Sequence, residues 1–95
     1  MKTPRLENWA IVFHPVDLYL APELRAQHLN GEVFGHPDHA DGKIVTTSRI
    51  LGYDPETNEV VCFSRRYKLG QISLDYEKTY PEAEKRFKES FSPKN

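Results

Sequence analysis

A single cysteine, Cys62, in 95 residues excludes an internal disulfide. No apolar run approaches the roughly 20 residues that a membrane-crossing helix needs, and no charged-then-apolar leader opens the chain, so no membrane attachment and a cytoplasmic setting are the expectations. Charge of one sign is also lacking. Thirteen Lys and Arg against fourteen Asp and Glu leave a net charge of -1, which removes any global pull toward nucleic acid or anionic lipid. The glycines Gly31, Gly35, Gly42, Gly52 and Gly70 stand apart, each at an expected strand end or turn. Without a Gly-rich phosphate loop, nucleotide chemistry is not expected, and no cofactor is implied. The Gly-x-Ser-x-Gly elbow of a serine hydrolase is absent as well.

What is present is a pattern of short strands. With few Leu and Ile, the five Phe, five Tyr and one Trp must supply much of a small core. Trp9-Ala-Ile-Val-Phe13 reads as a first strand, and Pro15 and Pro22 make 14–21 an extended connection over one end of a sheet. Residues 22–28 offer one or two helical turns. Three further strands are expected over 29–35, 43–53 and 59–69, rich in β-branched and aromatic residues and separated by Gly, Pro, Asp and Asn. In the second of these, alternation puts Ile44, Thr46, Ser48 and Ile50 on one face and Val45, Thr47, Arg49 and Leu51 on the other. Neither face is purely apolar. Asp54, Pro55 and Asn58 suit the turn that ties the last two strands into a hairpin.

Residues 71–75 suggest a short edge strand before the chain turns helical. Thr79 followed by Glu82 matches a capping box with Pro81 in the first turn, and Tyr80, Ala83, Phe87 and Phe91 share one face. A helix over 80–91 is expected to lay that aromatic face on the sheet. The resulting class is α+β, mainly β: one domain over 1–95, a small twisted antiparallel sheet or partly open barrel with a C-terminal helix packed on it, and flexible ends over 1–8 and 92–95.

Three constellations carry chemical interest. His36, Asp38, His39 and Asp41 gather two imidazoles and two carboxylates within six residues, the donor types of a metal site. Their spacing lacks the helical i, i+4 geometry of metalloproteases, and Asp, Pro, His and Gly are ordinary turn residues, so a solvated turn is the preferred interpretation. Arg49, Arg65, Arg66 and Lys68, interleaved with Phe63 and Tyr67, form a candidate nucleic-acid surface. Alternation sends Arg65 and Tyr67 to the opposite face from Arg66 and Lys68, which splits it. The hydroxyls of Thr46, Thr47 and Ser48 are expected to bond to neighbouring strands, and Cys62, set among Val60, Val61 and Phe63, to be a buried, unreactive thiol.

Trp9, Pro22-Glu23, Leu-Asn-Gly-Glu-Val-Phe-Gly-His-Pro over 29–37, Asp41-Gly42, Thr47-Ser48-Arg49-Ile50 and Tyr67-Lys68-Leu69-Gly70 together resemble a pattern of small uncharacterised bacterial and phage-borne proteins. The similarity spans most of 9–70. It implies a compact β-domain of unassigned activity carried on mobile elements, and it transfers no catalytic residue. No catalytic set is assigned. The function expected is a non-enzymatic protein-binding or regulatory module using a sheet edge or the loop at His36 and His39, with homodimerisation through an exposed edge. Nucleic-acid binding by the basic hairpin is the first alternative, and a metal-binding domain or metal-dependent hydrolase at residues 36–41 the second.

Overall fold

The computed structural model describes residues 3–13, 19–21 and 26–92. Residues 14–18 of the connection expected over 14–21 and residues 22–25 of the helical turns expected over 22–28 lie outside them. Six strands, β1 (Arg5–Phe13), β2 (Gln27–Phe34), β3 (Lys43–Thr46), β4 (Ile50–Asp54), β5 (Glu59–Cys62) and β6 (Arg66–Leu69), are followed by two helices, α1 (Leu74–Thr79) and α2 (Ala83–Phe91). Gln27 and His28 are strand, not helix, because they pair with β1. The sheet runs β3-β2-β1-β6-β5-β4. Its two edges, β3 and β4, are consecutive in the chain and joined by only residues 47–49, so the sheet wraps toward closure without a β3–β4 ladder. The class is the expected one: mainly β, a twisted sheet and C-terminal helices. One pairing differs, because β1 and β6 run parallel, Leu6 beside Leu69.

The inner face is continuous. Leu6, Leu29, Val33, Val60, Tyr67 and Leu69 are buried across β1, β2, β5 and β6, with Ile50, Tyr53 and Cys62 completing the core. Burying each such aliphatic side chain contributes about 1.5–3 kcal/mol. β1 starts at Arg5, four residues before the expected Trp9. A bulge at Asn8, whose φ is 51°, re-aims the strand so that Trp9 is fully buried, its indole N–H donating to the Gly70 carbonyl at 3.1 Å. Opposite the bulge stands Gly31. This glycine is mid-strand, not punctuation: a Cβ there would lie 2.9 Å from the Glu7 carbonyl oxygen. Gly35 and Gly42, at φ of 76° and 86°, do serve the turn between β2 and β3.

Two expected long strands are each broken. The run over 43–53 divides at 47–49 and the run over 59–69 divides at 63–65. At each break the alternation slips by one residue. Val45 and Thr47 point inward on the first, then Ile50 is buried while Leu51 is 52% exposed. On the second, Val60 and Cys62 are inward, and after the break Tyr67 and Leu69 take over. That slip explains why neither face of 43–53 reads as apolar. The hairpin between β4 and β5 forms as expected, with the Glu56 N–H donating to Asp54 Oδ1 at 3.0 Å and Asn58 at φ 56°.

At the C-terminal end the helix begins earlier and in two pieces. Only Ile72 bridges β1, pairing with Trp9, and Ser73 then caps α1 by accepting from the Tyr76 N–H. Thr79 and Glu82 form no capping box: the Thr79 hydroxyl donates to the Asp75 carbonyl, closing α1, and Glu82 precedes α2 in the left-handed region at φ 69°. Of the expected aromatic face, Phe87 is buried against Trp9 and Tyr53 and Phe91 is half-buried, whereas Tyr80 is 57% exposed. Among the described residues, no helix is long and apolar enough to cross a membrane.

Candidate functional site at the paired corners

The two breaks meet. The Phe63 N–H donates to the Arg49 carbonyl at 2.9 Å, the Ser64 N–H donates to Ser48 Oγ at 2.9 Å, and the hydroxyls of Ser48 and Ser64 lie 2.9 Å apart. Cys62 closes the second corner by donating its N–H to the Arg65 carbonyl at 3.0 Å. The first corner is pinned from the core side by Thr47, the only buried polar residue among those described. Its hydroxyl oxygen accepts the Leu29 N–H at 3.0 Å, and its hydroxyl proton goes to the Ser48 carbonyl at 2.8 Å. Thr46 likewise accepts from the Asn30 side chain. The hydroxyls therefore bond to strands and corners, as their position in the sequence suggested.

What these bonds hold outward is an exposed aromatic ring on paired corners that also carry two cations, Arg49 and Arg65. Phe63 is 73% exposed, Arg49 is exposed and Arg65 is half-buried. Arg65 reaches toward the β2–β3 loop, its Nη2 standing 3.8 Å from Asp38 Oδ2. There the His36 ring packs on His39, with centroids 4.5 Å apart, and stacks over Tyr67 at 6.2 Å. His36 Nδ1 accepts the Asp38 N–H at 2.9 Å, a bond only the neutral ring makes. Its pKa is lowered by partial desolvation first, then by the Arg65 and His39 charges, with Asp38 opposing.

Of the four basic candidates, Arg49 and Arg65 belong to this surface. Arg66 and Lys68 point outward from β6, where Arg66 bonds Asp54 at 2.9 Å and Glu59 at 3.0 Å, and Lys68 stands opposite Glu59 in the register. The metal candidates are organised as a turn. Asp41 Oδ1 accepts the Gly35 N–H at 2.9 Å, Asp38 faces Arg65, and among the described residues no three His, Cys, Asp or Glu side chains are grouped to hold an ion. Cys62 is buried, and burial raises its thiol pKa, with the Thr47 hydroxyl opposing.

Phe63 itself is the residue that sequence reasoning undervalued, reading it as part of an apolar surround for Cys62 and as one ring of a long basic hairpin. The available signal was Phe-Ser-Arg following a strand whose alternation stops. Comparison with protein-family models, with curated proteins and with solved structures gives no match.

Proposed function

We propose that the protein is a non-catalytic interaction module that binds another protein through its paired corners. Phe63 enters an apolar pocket of the partner, and Arg49 and Arg65 meet carboxylates around it. The observation that carries this is the exposure of Phe63 on a backbone fixed by four hydrogen bonds. An exposed aromatic held rigid loses little entropy on binding, and aromatic and Arg side chains dominate interface energetics. The engagement of the Thr46, Thr47 and Ser48 hydroxyls and the burial of Cys62 support a binding role over nucleophilic catalysis. A cytoplasmic setting, carriage on a mobile element and pairing of two copies along an edge, where Ile44 on β3 and Leu51 on β4 are exposed, accompany the proposal.

A second reading rests on the same three side chains. An exposed ring on corners that carry two arginines also suits a single-stranded nucleic acid, whose bases stack on aromatics. Tagged wild-type protein and Phe63→Ala, incubated in parallel with host lysate under nuclease and at high salt, separate the two. A discrete protein retained by wild type and lost from Phe63→Ala is expected. Recovery that depends on nucleic acid and vanishes with salt would transfer the corners to the second reading, and recovery unchanged by Phe63→Ala would remove them from both.

A further inference from the structure

A separate groove lies on the helical side of the molecule, between α1, α2 and the ends of β1 and β2. It arises because Tyr80, Pro81 and the left-handed Glu82 turn the chain sharply, so the two helices diverge instead of continuing as one. An aromatic pair walls each side, the first from α1 and its C-terminal cap and the second from α2. Tyr76 and Tyr80 are 5.1 Å apart on one side, and Phe87 and Phe91 are 5.2 Å apart on the other. Ile11 and Ala83 are also among the lining residues, and the volume of this open groove is about 470 Å³, within the roughly 300–1,000 Å³ of small-molecule sites.

The electrostatics of the groove are one-sided. Among its described lining residues, Arg86 alone is charged, and among the described residues no ion pair engages it; the pairs formed use Arg5, Arg65, Arg66 and Lys88. Thr79 is already committed to the Asp75 carbonyl, which leaves Gln27, Ser90 and the Tyr76 and Tyr80 hydroxyls as neutral polar groups. A planar guanidinium at the mouth of an aromatic slot complements a carboxylate attached to an apolar body.

We propose that this groove binds a small amphiphilic carboxylate, its apolar or aromatic body held between the Tyr76–Tyr80 and Phe87–Phe91 walls and its carboxylate on Arg86. The site is independent of the Phe63 corners, and Phe63→Ala leaves it intact.

The test is a titration of the isotope-labelled full chain, followed by amide NMR, with sodium octanoate and in parallel with 1-octanol, which has the same body without the charge. Saturable shifts at Tyr76, Tyr80, Ala83 and Phe91 are expected, with octanoate about tenfold tighter than octanol, the scale of one charge-assisted hydrogen bond. Arg86→Gln, a substitution on an exposed position, should equalise the two ligands, and Tyr80→Ala should weaken both. Absence of saturable shifts into the millimolar range, shifts centred elsewhere, equal affinity for octanol, or discrimination that survives Arg86→Gln would overturn the proposal.

Discussion

Thr47 shows how one side chain fixes a surface it does not belong to. Its hydroxyl serves two backbone groups at once, the Leu29 N–H in the core and the Ser48 carbonyl at the corner. Thr47→Val keeps the shape and removes both bonds, leaving a buried donor unpaired. A loss of about 1–3 kcal/mol is expected in denaturant unfolding; a change under about 0.5 kcal/mol would show that the hydroxyl does not hold the corner. His36 offers a second test at this scale. Its folded pKa is lowered from the ordinary 6.5, so just below that value the unfolded chain holds more protons than the folded one. Stability therefore falls as pH drops through 6.5 toward the lowered folded value, and the Asp38 N–H bond is lost with it. An NMR titration should place the His36 midpoint below 6.5, with Asp38 and Tyr67 resonances moving at the same midpoint. A midpoint above 6.5 would mean that Asp38 outweighs burial and the neighbouring cations. Asp54 does not confuse the window: its pKa is lowered from 3.8, first by the Glu56 N–H, so its contribution disappears only at much lower pH.

At the scale of elements, local chemistry was legible and phase was not. Asp54, Pro55 and Asn58 announce the β4–β5 hairpin because turn torsions demand those residue types. The strand breaks at 47–49 and 63–65 leave no Gly or Pro behind, so a single alternating run looked continuous through each. Only the mixed faces of 43–53 recorded the slip. Thr79 and Glu82 matched a capping box that tertiary structure overrode, since Ser73 caps an earlier helix and Phe87, one turn into α2, must reach Trp9 and Tyr53. The parallel pairing of β1 with β6 joins residues more than sixty positions apart and has no local signature. As for the site, Arg49 and Arg65 were visible as cations, but the pairing of the corners that carry them and Phe63 depends on the fold. α2 itself is held chiefly by Phe87, its buried residue. Phe87→Ala should cost about 3–5 kcal/mol, much of the roughly 5–10 kcal/mol available to a domain of this size. The denaturation midpoint should fall steeply and the near-ultraviolet signal of Trp9 weaken. A loss below about 1 kcal/mol would place the helix outside the cooperative core.

For the whole molecule, the curled sheet does one thing that none of its strands does alone: it brings two corners of the chain, 47–49 and 63–65, into hydrogen-bonded contact, so that exposed Phe63 shares one surface with Arg49 and Arg65. The most direct test is selection of a random peptide library on immobilised wild-type protein and, in parallel, on Phe63→Ala with its fold verified. The prediction is a set of peptides with a large apolar residue flanked by Asp or Glu, enriched on wild type alone and weakened at least tenfold by Arg49→Ala combined with Arg65→Ala. Selection of no common motif, or of the same peptides with equal strength on Phe63→Ala, would contradict the assignment of the paired corners as the binding surface.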